Sequence, residues 1–234
     1  MRSRLAGSIL AGVAVLAFSP VLLAQTAPRP GEAKAQTAVP TPDLSGVWMV
    51  RERSNTFDMK GEPPMQPWAE AKFKAATKEV DPYLSCFPHG LPRILLVPMP
   101  LEIVQIPGRV IMLHEFDHWV RQIYTDGREH PKDVDPTWMG HSIGRWDGDT
   151  LVVDTVGLND KTWLDYAGHP HSDALHVMER IRRADQDTLV SDVTIDDPKA
   201  YTKPWTGQKV YKLRRDWQIM EMVLCEERLQ LGTR

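Results

Sequence analysis

The ionisable residues best placed for chemistry lie on two hairpins. Asp147-Gly148 separates two alternating runs, 140–146 and 150–155, and is the strongest short hairpin signal in the chain. With Asp147-Gly148 at the centre of a two-residue turn, Trp146 pairs with Asp149, Arg145 with Thr150, Ile143 with Val152 and His141 with Asp154. A four-residue loop gives the same register, and a three-residue loop destroys it. Directly opposed side chains stand about 5 Å apart at Cβ. Asp154 is then expected to hold His141 in one tautomer and make the imidazole a better base; the alternative is a surface cross-strand pair. In the next hairpin a three-residue loop of Asp185, Gln186 and Asp187 puts Val177, Glu179, Ile181, Ser191, Val193 and Ile195 on one face. His176, Met178, Arg180, Asp192, Thr194 and Asp196 take the other, and this register separates apolar from polar side chains best. Glu179 therefore points inward. Desolvation raises the pKa of a carboxylate among aliphatic groups and suits it to general-acid work near neutral pH. The alternative is a buried ion pair with an inward arginine, Arg121 or Arg145.

Between the hairpins, Asn159, Asp160, Trp163, Asp165, Tyr166, His169, His171 and Ser172 make a mixed aromatic and polar segment; Asp196, Asp197, Tyr201 and Trp205 make a second. Flat side chains with polar tips are typical of pocket rims. Trp163, His171, Tyr201 and Trp205 are the expected ligand contacts, with capping of the barrel ends as the structural alternative. His169-Pro170-His171 with His176, and Asp165 or Asp173, has the donor types of an open zinc or copper site. No HExxH or CxxC spacing accompanies them, and Pro170 disfavours a regular strand there, so no metal and no other cofactor is expected. The string 140–144 reads literally as Gly-x-Ser-x-Gly, but a nucleophile elbow needs a strand-to-helix turn. Here a hairpin follows, so Ser142 is read as a strand residue.

Period-2 hydropathy dominates the body of the chain. Strands or hairpin arms are expected over 43–50, 101–106, 110–116, 118–125, 140–146, 150–155, 175–183 and 188–196, with a last pair over 209–215 and 217–224. The one helical stretch is 67–78, where Trp68, Ala69, Phe73 and Ala76 recur at helical spacing after Pro67. Nine or so strands and one helix suggest an antiparallel β-barrel or a strongly curved sandwich.

The chain has 234 residues, 28 basic against 31 acidic side chains and 42% hydrophobic residues. That is an ordinary globular composition; it excludes a polytopic membrane protein and lacks the basic excess that phosphate binding needs. Arg2 and Arg4 precede an apolar run to Leu23 that Gly and Pro dilute, and Ala24 offers a cleavage point, the layout of a secretory signal over 1–24. An uncleaved anchor is the alternative. Removing Arg2 and Arg4 leaves 26 basic against 31 acidic groups, an acidic surface that does not seek nucleic acid or anionic lipid. Residues 25–42 read as a flexible linker and 43–234 as a single β-rich domain. In an oxidising compartment the two cysteines, Cys86 and Cys225, most simply join.

Two resemblances add to this reading. Leu44-Ser45-Gly46-Val47-Trp48 resembles the Gly-x-Trp opening strand of lipocalins and avidins. There the indole plugs one barrel end under a late arginine, which implies a calycin-like barrel with Arg214, Arg215 or Arg228 in that place. The run 140–155, His171-Ser172 through Glu179-Arg180, Asp196-Asp197-Pro198 and Lys203-Pro204-Trp205 is similar to a widespread family of uncharacterised exported bacterial proteins, a resemblance that spans most of the mature chain and implies export and a shared fold but no activity. The function expected is an exported small-molecule enzyme using acid-base chemistry of the lyase, hydratase or isomerase type, with Glu179 and the His141-Asp154 pair carrying protons. The alternatives are a lipocalin-like carrier of a small apolar ligand and an interaction module without an enclosed cavity. The partner is a small molecule in the first two cases, with no stable membrane insertion after cleavage and no oligomeric state implied.

Overall fold

The computed structural model describes residues 41–225. The expected leader and nearly all of the linker lie outside the described residues. The strands are β1 (Gly46–Val50), β2 (Asp58–Met59), β3 (Leu101–Ile106), β4 (Arg109–His114), β5 (Val120–Tyr124), β6 (His141–Asp147), β7 (Thr150–Val156), β8 (His176–Asp185), β9 (Thr188–Asp196) and β10 (Trp205–Leu213). The helix α1 is Pro67–Ala75, with its proline in the first turn where a missing N–H costs nothing. Neighbours run β1-β3-β4-β5-β6-β7-β8-β9-β10, and β10 returns to β1 through Trp48↔Leu213, Met49↔Lys212 and Val50↔Tyr211. The result is a closed nine-stranded barrel with one short helix, of calycin-like type. Closure pairs every wall strand on both sides and leaves no free edge. Where β10 runs beyond β1 it is paired by the two-residue β2 instead, Gly207↔Met59.

One junction departs from an all-antiparallel wall. β5 and β6 run parallel and share only Ile123↔Ser142 and Tyr124↔Ile143. A parallel neighbour demands a crossover, which the segment 125–140 supplies.

The β8–β9 register is the expected one, Val177↔Ile195, Glu179↔Val193 and Ile181↔Ser191, down to an irregularity at Ala184 that leaves Asp185↔Thr188 closing a two-residue turn. The β6–β7 register corrects the expectation. Asp147 pairs with Thr150, Ile143 with Asp154 and His141 with Val156. The turn residues are Gly148-Asp149, and of the two only Gly148 has positive φ (61°), which is the type II′ requirement of glycine first rather than the type I′ requirement of glycine second. The C-terminal pair is also corrected. β10 starts at Trp205, and 217–224 forms no second arm; its backbone N–H groups at Met220, Met222 and Leu224 donate instead to Glu115 Oε2, His118 Nε2 and Asp117 Oδ1.

The buried apolar residues form two clusters along the barrel. One gathers around Trp48 with Leu101, Ile103, Met112, Ile123, Leu151, Val153, Ile181 and Tyr211. The other joins Val177, Val193 and Ile195 to Leu91, Ile94, Leu95, Leu96 and Val97, from and around a 3₁₀ turn at Arg93–Leu96. Trp48 is fully buried, and its indole N–H donates to the Leu44 carbonyl at 2.9 Å. The arginine over it is Arg183, 5.2 Å from the ring centroid. Of the arginines expected there, Arg214 covers Trp217 and Arg215 pairs with Asp187, while Arg228 lies outside the described residues.

Cys86 and Cys225 form a disulfide with Cα atoms 5.6 Å apart and 139 residues of separation. It ties the C-terminal segment to the loop ahead of the 3₁₀ turn. In the chain-entropy model a loop of that length stabilises by about 4–5 kcal/mol. Reduction, or Cys86→Ser with Cys225→Ser, should therefore lower the urea midpoint by a corresponding amount; an unchanged midpoint would show that the bridge constrains nothing that unfolds.

Candidate functional site

From β4 to β10 every strand places one polar side chain on the inner face of the wall: His114, Arg121, Ser142, Thr155, Glu179, Ser191 and Lys209, all buried. On β8 the level is bracketed by Val177 in one apolar cluster and Ile181 in the other; on β9 it is bracketed by Val193 and Leu189. The seven positions thus make a polar belt around the middle of the barrel. Arg121 is its centre. Its guanidinium pairs with Glu179 Oε2 and donates to Thr155 Oγ1 at 3.0 Å and Ser142 Oγ at 3.3 Å, while the two hydroxyls bond each other at 2.8 Å. Glu179 is enclosed, and it faces a guanidinium. That is the buried ion pair of the sequence-level alternative, with Arg121 rather than Arg145, whose side chain is exposed.

Belt chemistry is dominated by desolvation. Burial pushes the His114 imidazole down to about 3, and the nearby Arg121 charge adds to this, so the ring is neutral at ordinary pH. Burial raises the Tyr211 phenol, the Glu179 charge raising it further, and its O–H donates to the Leu95 carbonyl at 2.9 Å. Among the described residues four belt atoms have no hydrogen-bond partner: His114 Nε2, Arg121 Nη1, Glu179 Oε1 and Ser191 Oγ. A buried polar atom without a partner costs about 1–3 kcal/mol, and here four belong to one level of one barrel.

The other expected proton carriers are on the outside. His141 and Asp154 share the outer face of β6 and β7, but the register places Ile143 opposite Asp154, and His130 from the crossover segment fills the diagonal between them. His130 Nδ1 meets His141 Nδ1 at 2.8 Å; His130 Nε2 and His176 Nε2 reach Asp154 Oδ1 at 3.3 and 2.7 Å. Tyr124 stacks on His141 with ring centroids 5.5 Å apart. Burial lowers the His141 pKa, and the neighbouring His130 and Arg128 lower it further. Glu179 and the His141-Asp154 pair therefore stand on opposite faces of the wall and do not converge.

The four expected ligand contacts fall in the cap over the second apolar cluster. His171 is buried, with Nδ1 donating to the Ser172 carbonyl and Nε2 meeting Thr162 Oγ1 at 3.1 Å; burial lowers its pKa. Tyr201 donates to the Pro170 carbonyl at 2.8 Å and meets Trp205 edge-on. Trp163 lies 5.6 Å under Arg93, which is itself buried and bonded to Asp81. These three are packed into the cap. Trp205 also lines a groove of about 600 Å³ against Met59, Pro63, Pro64 and Lys203. His169, within the same cap, bonds Asp165 Oδ2 through Nδ1 at 2.6 Å, and Phe73 of α1 stacks on its ring. Asp165 Oδ1 accepts the backbone N–H groups of Ala167, Gly168 and His169, so this pair holds the loop's own turn. Among the described residues no group of three or more His, Cys, Asp or Glu side chains is placed to hold a metal ion.

The belt reaches solvent at Lys209. β1 ends at Val50 while β10 continues, and the loop after β1 spans the interval before β2. There a cleft of about 580 Å³ is lined by Arg51, Glu52, Arg53, Phe57, Asp58 and Lys209, among others. Phe57 enters because residue 207 is glycine; a Cβ there would sit 2.4 Å from the Phe57 Cβ. Lys209 Nζ donates to the Glu52 carbonyl oxygen at 2.9 Å. Burial lowers its pKa, against the opposing charges of Glu52 and Asp58. Sequence reasoning missed Lys209 because its strand was begun there rather than at Trp205, which hid its inward parity. It missed His114 because a single histidine at a strand end carries no pattern.

No family model matches the chain, and no curated protein matches it.

Two measurements check the belt. Glu179→Gln leaves Arg121 buried without its counter-charge and should cost about 3–5 kcal/mol in urea unfolding; a loss below about 1 kcal/mol would mean that solvent reaches the pair. His114 has a folded pKa of about 3 against an ordinary value of 6.5, so the unfolded chain takes up its proton first as pH falls. Its contribution is present above about pH 6.5 and declines below it by about 1.4 kcal/mol per pH unit. His114→Asn should flatten the stability profile between those limits, and identical slopes for both proteins would refute a buried neutral ring.

Proposed function

We propose that the protein is an exported small-molecule enzyme using acid-base chemistry of the lyase, hydratase or isomerase type, with its reacting groups on the polar belt of the barrel. The observation that carries this reading is the set of four unpartnered buried atoms on His114, Arg121, Glu179 and Ser191. A stability-driven core would fill that level with aliphatic side chains; a small polar molecule bound among these groups would satisfy them. In this reading Arg121 Nη1 anchors an anionic group, the neutral His114 ring donates or accepts one hydrogen bond without bringing charge, and Lys209, at the cleft, takes the proton. The structural alternative for the same atoms is ordered water. The carrier reading asks for mostly apolar walls around the ligand, and the belt is polar. Export is supported by the disulfide and by the layout of the leader.

The test uses the opposite signs that structure and function predict for Ser191→Ala. Removing a partnerless buried hydroxyl should leave stability unchanged or raise it by about 1 kcal/mol. Activity is read as proton exchange from deuterated water into a panel of small hydroxy, oxo and unsaturated acids, followed by NMR. Wild-type protein should exchange at least one panel member, at a rate that rises with pH through a midpoint below the ordinary lysine range. Ser191→Ala, which removes one hydrogen bond to the bound molecule, should slow it by about tenfold. Absence of exchange by the wild type across the panel, with co-purified apolar ligand in native mass spectrometry, would replace the enzyme by a carrier.

A further inference from the structure

Lys209 has the surroundings of a nucleophile as much as those of a base. Its side chain lies on the inner face, buried, yet it forms part of the cleft wall. Among the described residues no salt bridge involves it, and its one hydrogen bond is to a backbone carbonyl. A lysine withdrawn from water usually takes a carboxylate with it; this one has none in contact. Phe57 walls the cleft beside it, and Arg53, also in the lining, makes no ion pair among the described residues. Arg51, by contrast, reaches Glu52 at 3.4 Å. An amine with no carboxylate in salt-bridge contact among the described residues, and the Arg53 guanidinium, which also borders two neighbouring grooves, therefore line one cleft of about 580 Å³.

We infer that Lys209 forms an imine with a small carbonyl compound that carries a carboxylate, the carboxylate being held by Arg53. This deepens the acid-base reading and rests on it for the location of the site. The amine lone pair attacks the carbonyl carbon, a C–N bond forms, and the carbonyl π pair moves to oxygen, which takes up a proton. The nitrogen loses a proton, the hydroxyl departs as water with a second proton, and the C=N bond closes as the nitrogen gives up its remaining proton. One carbonyl compound and one primary amine give one imine and one water, with no oxidant or reductant consumed. Asp58, Glu52 and Glu62 line the same cleft and can relay the protons. Burial that favours the neutral amine favours the attack.

The experiment is reductive trapping of the full-length protein with pyruvate and sodium cyanoborohydride near neutral pH, followed by intact mass and peptide mapping. Pyruvate serves as the probe because it is the smallest 2-oxo acid. One reduced adduct on Lys209 is expected, formed faster than on exposed lysines because burial lowers its pKa and enlarges the neutral amine fraction. Lys209→Arg should abolish it. Arg53→Gln, an exposed change, should slow trapping of pyruvate but not of acetaldehyde, which lacks the carboxylate. Adducts spread over surface lysines, or an adduct rate unchanged by Arg53→Gln, would overturn the inference. Proton exchange that persists without trapping would leave the acid-base reading standing and this one refuted; trapping without exchange on any panel member would do the reverse.

Discussion

The ion pair between Arg121 and Glu179 is the contact on which this barrel's closure depends. The β5–β6 junction is the weakest seam in the wall, with two paired positions where β8 and β9 have nine. Backbone hydrogen bonds across it are too few to fix a register. Arg121 crosses the seam from β5 and binds Ser142 on β6, Thr155 on β7 and Glu179 on β8. A one-residue slip of β5 would turn the guanidinium to the outer face and Val120 or Gln122 inward, stranding a carboxylate in the core at a cost of several kcal/mol. The charge pair therefore penalises any slip that reverses the parity of β5, which is a different service from net stabilisation.

The outer face of the same seam is fastened in a complementary way. Tyr124, at the end of β5, stacks on His141, at the start of β6, and His130 from the crossover bonds both His141 and Asp154. A bond between two imidazole Nδ1 atoms needs one ring to donate and the other to accept, so at least the acceptor is neutral. The lowered pKa of His141 fits it for the accepting part. Side chains on both faces thus replace the ladder that a short parallel pair lacks. The histidine and aspartate that a sequence reading assigns to proton transfer have, on this geometry, a seam to hold.

Alternating hydropathy made most of the wall legible, because a strand half buried by a closed barrel must alternate. It fixed the inward parity of Glu179 and the pairing of β8 with β9, where one register sorted apolar from polar far better than its neighbours. In the β6–β7 hairpin both competing registers kept His141 and Asp154 on one face, so hydropathy was silent and the turn decided. The Asp147-Gly148 pair favours a turn centred on itself, whereas Gly148 leads the turn. The parallel seam was invisible, since nothing local distinguishes a crossover from a long hairpin loop. The belt was legible one residue at a time but not as a belt: its members are spread over seven strands, and only closure sets them at one height.

The cleft beside Lys209 follows from unequal strand lengths. β10 has nine residues and β1 five, so a barrel closed by their pairing leaves part of β10 without a long neighbour. The two-residue β2 covers only Gly207 and Gln208, and Lys209 stands between the two coverings. Extending β1 by two residues would pair that stretch, seal the wall and add ladder hydrogen bonds. The chain instead turns away after Val50, and its loop returns to lodge Phe57 under Gly207, where no other residue type leaves room. A wall position that sets a glycine against an inserted phenylalanine, next to a lysine held by a backbone carbonyl, is a poor solution for packing and leaves that lysine in the lining of an open cleft.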